Sequence, residues 1–185
     1  MTASSNASGS GRVRRALAQG IYATSLYDLT LGNTEPAALA VHIEDPWPGR
    51  AETANAFFQG RYEFAGESHS ALNEPPWQIA ASDIWRCDLH GFSWLRHFRA
   101  AGGEAARRGA RELVRSWIER HAKWQPLVWR DDVLGRRLAA WAAHAEFLLE
   151  GAEPTFRRLF LVSFARQSKH LFRSAGASIG GNGRI

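Results

Sequence analysis

The chain has 185 residues, of which 45% are hydrophobic and 22% are charged, with a formal net charge of +5. This composition is ordinary for one soluble globular domain, and no apolar run approaches the roughly 18 residues of a membrane-spanning helix. Cys87 is the only cysteine, which excludes an intrachain disulfide and a cysteine-based metal site and favours a reducing compartment.

The basic charge raises the question of nucleic-acid binding. Only two of the 23 basic residues are lysines, Lys123 and Lys169. Such an excess of arginine follows from coding bias as easily as from phosphate recognition. The sequence has no zinc-ligand spacing, aromatic RNA-binding motif or compact basic run, so we do not expect nucleic acid to be the partner.

The beginning of the chain predicts a tail followed by a helix. Residues 1–12 are small and polar and predict a disordered tail. A helix is expected over residues 12–31, within a region of residues 13–82 that also holds a short β segment. Because polar side chains interrupt the apolar residues of this helix, we predict no secretory signal and a cytoplasmic location.

The middle of the chain predicts a short β-hairpin. Proline and glycine become frequent between Gly32 and Arg50, which indicates an exposed connection. The next stretch, ANAFFQGRYEFAGES, places aromatic residues on both sides of Gly60 and predicts short strands or a hairpin near residues 55–66. The two prolines of NEPPWQ then predict an irregular turn.

Residues 83–185 predict an array of helices. Four helices are expected, over residues 88–101, 104–121 and 129–149 and from Pro154 onward, where proline suits the first helical turn. The second helix is the clearest because its apolar residues recur at steps of three and four. Short connections favour antiparallel αα-hairpins, so the fold is predicted to be mainly α: a bundle, a solenoid or part of an α/α toroid.

Tryptophan and arginine are the residues that could recognise a ligand. Trp117 and Trp141 lie on the apolar stripes of their helices and are predicted to be core residues. Trp124 and Trp129 flank QPLV between two helices, so each either covers the core or offers its ring face to a sugar. Arg130 is the arginine that we predict to contact a ligand, because a guanidinium binds carboxylate or sulfate through two nitrogens.

Polar residues also occur on the apolar face of the last helix. Gln167 and His170 either form hydrogen bonds inside the protein or line a cleft. The remaining arginines of the helices are expected on polar faces in ion pairs: Arg107, Arg108, Arg111, Arg115, Arg136 and Arg137. No catalytic triad order, phosphate loop, dinucleotide glycine pattern or paired metal ligands occurs, so we expect no cofactor and no metal.

Four segments together resemble a known family. They are FFQGRYEFAGES, DLHGFSWLRHFRAAGGEAARRGARELVRSWI, WQPLVWRDDVLGRRLAAWAAHAEFLL and FARQSKHL, between Ala54 and Arg173. Their order and spacing resemble the N-terminal region of bacterial heparinase II/III-like proteins, particularly the alphaproteobacterial type. The resemblance implies an α/α toroid followed by a β-sandwich domain, which we expect beyond Ile185.

The resemblance also implies a function. Lyases of this family cleave uronate-containing polysaccharides by β-elimination, using catalytic Asn, Tyr and His residues, none of which maps onto a position here. We therefore expect this chain to form one wall of an acidic-polysaccharide cleft and to be inactive by itself. The candidate binding residues are Trp124, Trp129, Arg130, Gln167 and His170. The family also includes periplasmic proteins, and a non-catalytic helical scaffold or interaction domain is the alternative function.

Overall fold

The computed structural model describes residues 16–40, 43–72 and 74–179, with side chains described as far as Ala175. The tail predicted over residues 1–12 lies outside these residues. The described chain is mainly helical with one small antiparallel sheet, as the sequence predicts.

The elements follow one another in a simple order. Residues 16–22 are helical (α1) and are followed by α2 (Ser25–Leu31), α3 (Ala51–Phe58), β1 (Arg61–Phe64), β2 (Glu67–Ser70) and a 3₁₀ turn (Pro76–Gln78). Six further helices complete the described chain: α4 (Asp83–Gly91), α5 (Leu95–Ala101), α6 (Gly103–His121), α7 (Asp131–Ala143), α8 (Ala145–Leu149) and α9 (Pro154–Ile179).

The predicted hairpin is present, but it begins later than expected. Residues predicted to start it form α3 instead, and the prediction was wrong there because Phe57 packs edge-on against Phe98 from a helix. Gly60 separates helix and strand with a φ of 68°, and a Cβ atom there would lie 2.4 Å from the carbonyl oxygen of Ala71. Only glycine fits this close approach, so Gly60 fixes where the hairpin starts. Strands β1 and β2 are joined by two residues with positive φ, as tight hairpins require.

Three helices that the sequence predicts as continuous are broken. The helix expected over residues 12–31 is divided at Ala23 and Thr24, between α1 and α2. The helix expected over residues 88–101 is divided by Phe92, whose φ of 59° ends α4. The break allows both Phe92 and Trp94 to be buried, and the Trp94 indole donates a hydrogen bond to the carbonyl of Leu89 at 2.8 Å. The helix expected over residues 129–149 is likewise divided at His144.

The helices pack around an aromatic core. Helix α7 lies between α4 and α9, while α6 contacts both α5 and α9. Burial of each large side chain there stabilises the folded state by roughly 2–3 kcal/mol relative to exposure of that side chain to water. The core includes Trp85, Trp94, Trp117, Trp141, Phe92, Phe98, Phe156 and Phe160. Among the described residues no helix is long and apolar enough to cross a membrane.

Candidate functional site

Three of the five predicted binding residues lie in the interior. Trp129 is 2% exposed and donates its indole hydrogen to the carbonyl of His121 at 3.0 Å. Gln167 and His170 are each 1% exposed, and His170 Nδ1 lies 2.7 Å from the hydroxyl of Tyr27. Additional chain could only cover these side chains further, so none of the three offers a surface to a ligand in this conformation.

The other two predicted residues reach the surface. Trp124 is half-buried, with its ring centroid 6.0 Å from that of Tyr22. Arg130 is exposed, and its guanidinium donates to both carboxylate oxygens of Asp132, at 2.5 and 2.8 Å, and to the sulfur of Cys87 at 3.2 Å. The hydrogen bonds that Arg130 donates to Asp132 raise the pKa of Arg130 further above its usual value. The guanidinium of Arg130 is therefore already occupied, and its contact with a ligand stays a prediction.

The prediction that the helix arginines lie on polar faces is wrong for Arg137. Its side chain is fully buried between α4, α7 and α9. It donates to the carbonyls of His90 and Val128 at 3.0 Å and to the Gln167 amide oxygen at 2.6 Å. Its Cζ atom lies 4.2 Å from the ring centroid of Trp117, a distance that allows a cation–π interaction.

Neutral groups alone compensate this buried charge. Within the described residues no carboxylate forms an ion pair with Arg137. Burial lowers the pKa of Arg137, yet arginine remains protonated in proteins. Arg137 is therefore a buried cation that backbone carbonyls, an amide and an aromatic ring stabilise.

Two buried histidines lie beside this arginine. The ring centroids of His90 and His121 are 5.0 Å apart, and the Trp117 indole donates to His90 Nδ1 at 3.1 Å. Burial lowers the pKa of His90 to about 3 and that of His121 to about 4. Nearby arginines contribute to both of these shifts, including Arg137 and Arg86. Both imidazoles are therefore neutral near pH 7.

An open depression of about 760 Å³ lies above the buried histidines. Trp77 forms its floor, held by a hydrogen bond from its indole nitrogen to Ser116 Oγ at 2.8 Å. His90 and Phe92 stack on this ring at centroid distances of 5.9 and 5.8 Å. Trp77 is 7% exposed, so it shapes the depression but has no free face for a sugar ring.

The depression, which we call the Trp77 pocket, is lined by both basic and acidic side chains. Its wall includes Glu67, His69, Gln78 and Arg86, together with the backbone of residues 79–82. Glu67 is occupied, because it bonds His69 Nε2 at 3.1 Å and the backbone nitrogen of Ser82 at 3.3 Å. The side-chain hydrogen bond with Ser82, together with those from His69 and the Ser82 backbone, lowers the pKa of Glu67 and keeps its carboxylate ionised.

Two arginines lie at this pocket or beside it. In the described chain Arg86 pairs with one exposed carboxylate, that of Asp83, at 3.2 Å. Arg120, which lies next to the pocket through Gln78, forms no ion pair with a carboxylate of the described chain. The pocket can therefore accept an anionic group. It holds no candidate metal site, since no described cluster of three His, Cys, Asp or Glu residues could bind an ion.

Sequence patterns missed this pocket and its arginines. Arg86 and Arg120 lie on different helices, and Gln78 follows a proline turn that was predicted only as irregular. The residues meet through tertiary packing. The one local signal was Ser82, which caps α4 by accepting a hydrogen bond from the backbone nitrogen of Trp85 at 3.2 Å and so fixes where Arg86 emerges.

Comparison with known proteins gives one match. The chain is 27% identical over 145 residues to FtsZ-localized protein C of Caulobacter vibrioides. The aligned part covers 77% of this chain and 25% of that protein, so the chain spans about a quarter of the length of this relative. No family model matches the chain. No solved structure matches it either.

Proposed function

We propose that the chain is the helical N-terminal part of a heparinase II/III-like protein and that its Trp77 pocket binds an acidic, uronate-containing polysaccharide. The observation that carries this proposal is the pair of arginines at the pocket, Arg86 and Arg120, beside a carboxylate that is already bound. A sugar carboxylate or sulfate is the group that such guanidinium side chains bind best.

The proposed role of this chain is binding, with the elimination chemistry placed elsewhere in the protein. β-Elimination requires a base at the carbon next to the uronate carboxylate, an acid for the leaving oxygen and compensation of the negative charge that develops on the carboxylate. The pocket arginines suit the third task. The first two belong to the β-sandwich and the further helices that the resemblance implies.

Binding to matched glycans tests the proposal. We expect the chain to bind oligogalacturonate or heparin oligosaccharides and to ignore a neutral dextran of similar length at the same ionic strength. Arg86→Gln should weaken binding about tenfold, as the loss of one charge-assisted contact predicts. The matched control is Arg108→Gln, which removes the same charge from an exposed position on α6.

The control distinguishes binding at the Trp77 pocket from nonspecific attraction between the basic chain and any polyanion. Equal losses from Arg86→Gln and Arg108→Gln, together with affinity that falls steeply with salt for any polyanion, would leave only nonspecific electrostatics. Absence of binding to every acidic glycan would overturn the proposal altogether.

A helical interaction module is the second candidate function. The observation that favours it is the match to a protein named for its localisation with FtsZ. In this case the chain associates with FtsZ or with a protein bound to it. Co-sedimentation with polymerised FtsZ measures this directly, and Arg86→Gln should leave the sedimented fraction unchanged if the Trp77 pocket is not the contact.

A further inference from the structure

Gln78 and Arg120 form an unusual pair at the rim of the Trp77 pocket. With the amide oxygen of Gln78 turned toward Arg120, that oxygen accepts hydrogen bonds from both terminal nitrogens of the guanidinium. The hydrogen-bond partners decide this amide orientation. Both side chains are exposed, and Gln78 itself lines the pocket.

The pair has the geometry of a ligand contact. Here both terminal nitrogens converge on one amide oxygen, whereas a carboxylate or sulfate offers two oxygens and can accept one hydrogen bond from each nitrogen. Here the partner is a neutral amide, which carries less negative charge on its oxygen than a carboxylate does. A charged group that reached the same position would therefore bind Arg120 more strongly than Gln78 does.

The surroundings allow the amide to leave without moving the backbone. Pro75 and Pro76 restrict the chain before Gln78, and the Trp77 indole is anchored on Ser116. Displacement of Gln78 therefore requires only a rotation of an exposed side chain, which costs little. Arg120 lies in the last turn of α6, so its side chain extends from a fixed backbone position.

We propose that Arg120 is the residue that recognises the acidic group of the ligand, and that Gln78 occupies the guanidinium until that group displaces it. The inference rests on the proposed function, since it names the anion contact at the rim of the Trp77 pocket. The ligand group is a carboxylate or sulfate carried on a sugar. Gln78 is then an internal competitor that lowers the affinity for weakly charged ligands.

Three variants have expected effects of different sign. Gln78→Ala removes the competitor and should raise the affinity for a galacturonate oligosaccharide by a few-fold, about the value of one weak neutral hydrogen bond. Gln78→Glu places a permanent carboxylate against Arg120 and should weaken binding by about tenfold or more. Arg120→Gln removes the contact and should weaken binding by about tenfold.

The chain contains a matched control for these changes. Gln59 and Arg61 form a second exposed pair, in which the Gln59 amide oxygen accepts from the Arg61 guanidinium away from the pocket wall. Gln59→Ala and Arg61→Gln repeat the same chemical changes and should leave affinity within about twofold of the unmodified chain, as peripheral charges do. Thermal unfolding of every variant checks that folding is unchanged.

Titration calorimetry with trigalacturonate and with a heparin tetrasaccharide decides the outcome. Opposite shifts for Gln78→Ala and Gln78→Glu, with loss in Arg120→Gln, are the expected result. If the unmodified chain binds and Arg86→Gln weakens binding while all three variants behave like their controls, this inference is overturned and the proposed function stands. If the unmodified chain binds neither glycan, both are overturned.

Discussion

Arg137 in the interior and Arg120 at the surface are bound by the same kind of partner in opposite surroundings. Arg137 donates to two backbone carbonyls and one amide, and it is fully buried. Arg120 is also held by an amide, that of Gln78, but both side chains are exposed. A neutral acceptor in the core must stay where it is, whereas one at the surface can be exchanged for a ligand. Burial therefore decides whether a guanidinium stabilises the fold or is available for recognition.

The largest expected effect is on stability, from Arg137→Ala. This change leaves three buried acceptors without a donor and opens a cavity, so it should lower the free energy of unfolding by about 3–5 kcal/mol. Arg136→Ala is the control, since Arg136 is exposed and paired with Asp88 at 2.8 Å, and should cost about 1 kcal/mol or less. Urea denaturation of both variants measures the difference. Equal losses would mean that burial does not distinguish the two arginines.

A fall in pH should lower the free energy of unfolding through the buried histidines. The folded-state pKa values of His90 and His121 are lowered to about 3 and about 4 from a usual 6.5, so the unfolded chain binds more protons between these values. Their contribution is present above pH 6.5 and is lost as pH falls toward 4. The slope should reach about 1.4 kcal/mol per pH unit for each histidine.

Single variants identify the source of that slope. His121→Gln should flatten the dependence of unfolding free energy on pH between 6.5 and 4. His69→Gln is the comparison, because His69 lies at the pocket wall with 30% of its side chain exposed. If the slope persists unchanged in His121→Gln, the loss comes from the other histidines whose pKa values burial lowers, which are His90, His97, His144 and His170.

The fold was largely predictable because the apolar residues of most helices recur with the helical period. Helix α6 lies where the three- and four-residue steps predict it, and α9 begins at Pro154 as expected. The breaks at Phe92 and His144 were not predictable, since each depends on burying side chains from both sides of the break. Local periodicity contains no information about such tertiary packing. The same limit explains why α3 was predicted as a strand.

The site was less predictable, for two different reasons. The periodicity of α7 indicated that Arg137 is buried, because it lies three residues after Leu134 and four before Trp141, within the apolar stripe. Its charge nevertheless led to the prediction that it lies on a polar face. For Gln78 and Arg120 no local signal exists, since the two residues meet only after the turn and α6 have packed together. Charge misleads sequence-based interpretation most where a charged side chain is buried among neutral acceptors.

The smallest expected effect comes from Arg130→Ala, which compares the residue that the sequence favoured with the one that the structure favours. The guanidinium of Arg130 is already bonded to Asp132 and Cys87, so its loss should weaken glycan binding by less than about threefold and cost about 1 kcal/mol or less of stability. Asp132→Ala, which releases Arg130, should strengthen binding only if the glycan reaches this loop. Titration of both variants beside Arg120→Gln decides the position of the anion contact. A loss in Arg130→Ala that equals the loss in Arg120→Gln would place the glycan against the loop between α6 and α7, because the loss of an exposed guanidinium that the glycan does not contact should have a smaller effect.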